Sequence, residues 1–197
     1  MQTFTWAKPN SNGAVAKVAV LLPGSGYPVE GPVLFWVGEM LGALGWHVQA
    51  VRWTAEDRLN DDPHSLAAFA VENAFAESPV AGQRLIVAKS LSTLAIPWAG
   101  ETQTAGIWLT PLLTDERVRK TLANSTKNDL FVGGSEDKLW DGGHRPGLHG
   151  TFLEIPGADH SLQIPNDWRA SQKVQAAVLE SVEAFVLGLG DVGRPAT

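Results

Sequence analysis

Short, unbroken apolar runs alternate with helix-compatible stretches from one end of this chain to the other. The runs are Lys17–Leu22 (KVAVLL), His47–Trp53, Arg84–Ala88 (RLIVA), Gly106–Thr110, Asp129–Val132 and Thr151–Ile155. Most are continuous and do not alternate with polar residues, which is the pattern of strands covered by helices on both faces. Such a succession is the signature of βαβ units. The expected fold class is therefore α/β, a mostly parallel twisted sheet with helices on both faces. A further strand at Thr3–Trp6 precedes the turn-rich Pro9-Asn10-Ser11-Asn12-Gly13 and is expected as an antiparallel edge strand.

The helices are expected between those strands. Pro32–Leu44 begins with a proline, whose missing N–H is harmless in a first turn. Its Gly38 and Gly42 weaken a helix and imply close approach to the sheet. Ser65 is the expected cap of Leu66–Glu77, and Thr114 that of Asp115–Ala123. An amphipathic helix follows over Trp168–Leu187. A chain of 197 residues without a linker or internal repeat fits one domain over 1–197, with a frayed tail from about 190.

Composition removes several function classes. The chain carries 15 lysines and arginines against 21 acidic residues, for a net charge of −6. That balance argues against nucleic-acid partners and a polybasic membrane-surface role. The chain has no cysteine, which excludes disulfides, thiolate metal sites and cysteine nucleophiles together. Met1–Trp6 lacks the basic and apolar regions of a secretory signal. The most apolar stretch, Pro32–Trp46, is broken by Glu39 and is shorter than the roughly 20 residues a bilayer span requires. The expected location is the cytoplasm.

One junction carries chemistry. In Leu85-Ile86-Val87-Ala88-Lys89-Ser90-Leu91-Ser92-Thr93 a buried strand runs straight into a serine and then into a helix-compatible stretch. This is the context of a nucleophile elbow, a tight strand–turn–helix corner that lifts a serine hydroxyl above the sheet edge. The usual G-x-S-x-G keeps bulk out of the turn; here Ala88 and Ser92 take the glycine positions. A serine becomes a nucleophile only when a base removes its proton and an acid orients that base. The loop Gly133-Gly134-Ser135-Glu136-Asp137 follows one later strand and offers Asp137. The loop Pro156-Gly157-Ala158-Asp159-His160 follows the next and offers His160. Both lie at C-terminal strand ends, where open parallel sheets bind ligands.

An oxyanion also needs preorganised N–H donors. Leu91, just past the serine, is expected to supply one. Ser25 or Gly26, in Pro23-Gly24-Ser25-Gly26-Tyr27, supplies the other.

From the Pro23–Gly26 loop through Ser90 and Asp137 to His160, nearly the whole chain resembles the α/β-hydrolase superfamily. It is similar in size to the lidless dienelactone-hydrolase-like and small esterase or thioesterase branches. The resemblance implies a Ser90–His160–Asp137 triad acting on a small-molecule ester or thioester, with no cap domain, cofactor or metal. No histidine precedes the oxyanion glycine; Pro23 stands there instead.

Other residues compete for these roles. Glu136, Asp141 and Asp159 are alternative acids, with Asp159 better suited to stabilising its own loop. His47 and His64 lie far from the later-strand loops, and His144 and His149 fall in or beside a glycine-rich stretch. A metal site from Asp141, His144, His149 and Asp159 lacks any i, i+4 ligand pair. Gly24-Ser25-Gly26 is no dinucleotide fingerprint, since Val29 stands where the third glycine belongs. Among eight tryptophans, Trp36, Trp46 and Trp108 are expected to fill the core. Trp140 and Tyr27, near the catalytic edge, are expected to line a substrate pocket.

Overall fold

The computed structural model describes residues 1–9, 15–54, 56–57, 62–140 and 149–189. Its strands are β1 (Gln2–Ala7), β2 (Lys17–Leu22), β3 (His47–Arg52), β4 (Gln83–Lys89), β5 (Ala105–Leu109), β6 (Asp129–Gly134) and β7 (Thr151–Ile155). Its α-helices are α1 (Pro32–Ala43), α2 (Pro63–Ala76), α3 (Ile96–Thr102), α4 (Glu116–Leu122) and α5 (Trp168–Leu189). Asp141, His144 and the 190–197 tail lie outside the described residues.

All seven strands join one sheet in the order β1-β3-β2-β4-β5-β6-β7. Every pairing is parallel except β1 with β3, so the first strand is an antiparallel edge, beside β3 and not beside its sequence neighbour β2. The chain leaves β2 for β3 on one side, then crosses back to β4 on the other. Strand order therefore reverses between β2 and β4, and the crevice above their C-terminal ends is where such sheets place ligands.

Successive strand side chains point to opposite faces, and the apolar runs supply both cores at once. Val18, Val20, Leu22, Ile86, Ala88, Trp108 and Phe131 pack against α2, α3 and α4. Ala19, Leu21, Leu85, Val87, Ile107 and Leu109 pack against α1 and α5. Gly38 and Gly42 show why α1 tolerates glycine. A Cβ at 38 would lie 2.8 Å from the Trp6 indole nitrogen, and one at 42 would lie 2.8 Å from the Ala7 Cβ.

The caps differ from the sequence expectation. Helix α2 starts earlier, at Pro63, so Asp62 is the cap and its carboxylate accepts from the Ser65 N–H. Likewise Asp115, not Thr114, caps α4 by accepting from the Val118 N–H. In each case an aspartate, three residues before Ser65 and one after Thr114, is the cap because its carboxylate reaches an N–H of the first turn. Trp46 and Trp108 are buried, but Trp36 is 55% exposed on α1, beyond the reach of the core.

Candidate active site

Ser90 follows the last residue of β4 directly and has a φ of 53°, in the left-handed region that side chains disfavour. A 3-10 turn over Ser90–Ala95 then leads into α3. This is a strained strand-to-helix corner, the backbone form of an elbow. Ala88 and Ser92 are both fully buried, so small side chains satisfy the corner where glycines were expected. The Thr93 hydroxyl donates to the Ser90 carbonyl at 2.6 Å and accepts from the Leu112 N–H at 3.1 Å, bracing the turn.

The loop after β2 is tied to that corner. The Ser92 hydroxyl and the Trp53 indole N–H both donate to the Pro23 carbonyl. Gly24 comes so close that a Cβ there would lie 3.2 Å from the Ser90 Cβ. The Gly24 N–H closes a turn on the Tyr27 carbonyl at 2.8 Å. Among the described residues, the N–H groups of Ser25 and Gly26 have no such acceptor. The Leu91 N–H lies in the first turn of the 3-10 segment, where no intrahelical acceptor exists.

Asp137 and His160 come from the loops after neighbouring strands. Gly134 ends β6, and a Cβ there would fall 2.5 Å from the Ala158 carbonyl carbon, so the two loops touch only because residue 134 is glycine. The Ala158 carbonyl accepts from the Glu136 N–H at 3.0 Å. This contact points Glu136 to solvent and turns Asp137 inward, its side chain 1% exposed. One Asp137 oxygen accepts from the Leu139 N–H at 2.9 Å; the other lies 2.7 Å from His160 Nδ1. His160 Nε2 lies 2.8 Å from Ser90 Oγ. Asp159 instead accepts from the Ser161 and Gln163 N–H groups at 2.8 and 3.1 Å, folding its own loop.

The other described histidines lie elsewhere. His47 is buried at the start of β3, His149 is exposed, and His64 Nε2 meets Asp115 at 3.0 Å. Tyr27 is at the rim: its ring helps line a cavity of about 140 Å³ with Gly24, Val29, Arg52 and Trp53. A second cavity of about 140 Å³, beside α3 and α4, includes Asp129 at the start of β6, the end of the strands opposite Ser90, and none of the residues around Ser90. Trp140 departs from expectation. It is 4% exposed, stacked so closely over Gly133 that a Cβ there would collide with its ring, and its N–H donates to Glu154 at 2.7 Å. With its polar atom satisfied, it packs in the core cluster and, among the described residues, lines neither of the cavities above.

No protein-family model matches the sequence, and no curated protein matches it. Solved structures do. Est1E from Butyrivibrio proteoclasticus superposes with a TM-score of 0.72 at 15% identity, covering 94% of this chain and 93% of that one. Dienelactone hydrolase from Anabaena variabilis gives 0.65 at 16%, covering 95% and 99%. XC6422 from Xanthomonas campestris, described as an α/β serine hydrolase without a lid, gives 0.59 at 14%, covering 97% and 88%. The fold is that of the α/β-hydrolases.

Within this α/β-hydrolase frame, one polar residue beside Ser90 escapes sequence reasoning. Lys89 is 1% exposed, with its ammonium 2.7 Å from Thr110 Oγ1, 2.8 Å from the His160 carbonyl oxygen and 4.7 Å from the centre of the Tyr27 ring. Burial pushes its pKa from the ordinary 10.5 down to about 8, against the opposing pull of Asp137 and Asp159. Tyr27 is itself fixed. Burial raises its pKa, and its hydroxyl accepts from the Val33 N–H in the first turn of α1 at 3.0 Å. The available signal was positional: Lys89 continues the Leu85–Val87 side of β4, so a lysine there must enter the core.

Proposed function

We propose that this protein is a serine hydrolase that cleaves a carboxylic ester or thioester of a small substrate through an acyl-enzyme. The observation that carries the reading is the unbroken line from Ser90 Oγ to His160 Nε2 to His160 Nδ1 to Asp137, with steps of 2.8 and 2.7 Å. With Asp137 ionised and the proton on Nδ1, Nε2 presents its lone pair to the Ser90 hydroxyl.

Ser90 attacks the carbonyl carbon as its proton passes to His160. Asp137 stabilises the imidazolium, and the N–H groups of Leu91 and of Ser25 or Gly26 receive the oxyanion. The tetrahedral intermediate collapses, His160 protonates the departing alcohol or thiol, and an ester to Ser90 remains. Water then loses its proton to His160, attacks the acyl carbon, and releases the acid and a restored Ser90 hydroxyl.

Support also comes from the fold's relatives, since one solved form of Est1E is described with ferulic acid bound. The cavity beside Tyr27 and Trp53 has room for a small acyl or aromatic group. A fluorophosphonate probe and a panel of p-nitrophenyl and thioester acyl chains test the reading. The expected result is labelling and turnover by wild type, both lost in Ser90→Ala. Full turnover and labelling by Ser90→Ala would overturn it.

A further inference from the structure

We propose that Lys89 is a positioning residue for this reaction, holding the backbone of the His160 segment in register with Ser90, and that it does so as an ammonium. The inference rests on the serine-hydrolase reading and goes beyond it, because it assigns a role to a residue outside the triad. Lys89 directly precedes the nucleophile, and its Nζ holds the carbonyl of the base at 2.8 Å. Ser90 and His160 are thereby tied twice. One tie is the Oγ–Nε2 contact, which must loosen as the proton moves; the other is the Lys89 bridge, which need not.

The charge state matters because of the number of acceptors. An ammonium offers three donors, and three acceptors surround it: the Thr110 hydroxyl oxygen, the His160 carbonyl and the face of Tyr27. A neutral amine offers two donors, and its lone pair can be met only if the Thr110 hydroxyl turns round to donate, which rearranges the set. The ionisable groups facing Nζ are Tyr27 from the loop after β2, Asp137 from the loop after β6, and Asp159 and His160 from the loop after β7. From the residue just after β5 comes the uncharged Thr110. Among the described residues Lys89 forms no ion pair, so its desolvation is met by hydrogen bonds and diffuse attraction alone. A methionine would fill the same volume without that cost. The ammonium therefore serves the geometry of the site more than the stability of the fold.

The test compares wild type, Lys89→Met and Ser90→Ala from pH 6 to 10. It follows kcat and KM for p-nitrophenyl acetate and the rate of fluorophosphonate labelling, with circular dichroism as a check on folding. Lys89→Met is expected to fold, to melt no lower than wild type, and to lose about 10- to 100-fold in kcat. Its KM should move less than about threefold, since substrate binding is not what Lys89 supports. Wild-type activity should fall through an alkaline limb near pH 8 that Lys89→Met lacks. A Lys89→Met enzyme with wild-type kcat, or a wild-type profile flat to pH 10, overturns the proposal. If Lys89→Met does not fold, the wild-type limb alone decides. An active Ser90→Ala brings down the hydrolase reading and this proposal with it. An inactive Ser90→Ala beside an unimpaired Lys89→Met brings down only the positioning role.

Discussion

Gly134 and Ala158 touch backbone to backbone: a Cβ on residue 134 would lie 2.5 Å from the Ala158 carbonyl carbon. This contact sets the distance between the acid loop and the base loop, because Asp137 lies three residues after Gly134 and His160 two after Ala158. Gly134→Ala should separate the loops. Overpacking of this kind costs about 1–3 kcal/mol, and the loss in kcat/KM should exceed what that destabilisation alone explains. Urea unfolding and esterase kinetics on the same preparation check it. A variant with full activity would show that the loops can part without disturbing the triad.

Asp137→Asn should leave the fold intact and strip the activity. The Leu139 N–H needs an acceptor, so the new amide must keep its oxygen there and turn its NH₂ toward His160 Nδ1. Nδ1 then accepts, the proton moves to Nε2, and the lone pair that Ser90 requires is gone. A loss of about 10³- to 10⁴-fold in kcat is expected, the size seen when a triad acid ceases to select the tautomer. An unchanged melting temperature beside that loss would separate the effect from unfolding.

Ser92→Ala removes one of the two donors to the Pro23 carbonyl, leaving the Trp53 N–H at 3.2 Å. The stability cost should be about 1 kcal/mol, a single hydrogen bond with its acceptor still partly satisfied. The loop bearing Ser25 and Gly26 loses a tether to the elbow, so kcat should fall more than KM rises. Steady-state kinetics of Ser92→Ala read this split directly.

Stability should respond to alkaline pH in the opposite sense to activity. The folded-state pKa of Lys89, about 8, lies below the ordinary 10.5, so between these values the unfolded chain holds more protons. Stability therefore rises with pH over that window, by about 3 kcal/mol at most. Tyr27, raised by burial, works against this gain above about pH 10. Chemical denaturation at stepped pH should show the gain in wild type and its absence in Lys89→Met.

The parts of this molecule legible in the sequence were those set by local pattern and chain order. Continuous runs such as Leu85–Ala88 located the strands, because helices on both faces leave no polar side to interrupt them. Ser90 was legible from its place at a strand end, and Asp137 and His160 from the loops after β6 and β7. What was not legible depends on which way a side chain turns. Trp36 and Trp140 share a residue type, yet one faces outward on α1 and the other lies on Gly133. Lys89 fell outside the expected strand, which stopped at Ala88; once the strand extends to residue 89, alternation puts its side chain on the buried Leu85–Val87 face, under Tyr27.

Among the described residues β7 has a hydrogen-bonded neighbour on one side alone, and the loop bearing His160 hangs from its end. Ser90, by contrast, stands at the end of a strand flanked by β2 and β5. Warming should thus peel away the base while the serine is still seated, and catalytic failure should precede global melting. The lysine bridge from the central strand to the margin works as a brace against that fraying, which gives a single buried cation leverage over the working temperature of the whole molecule.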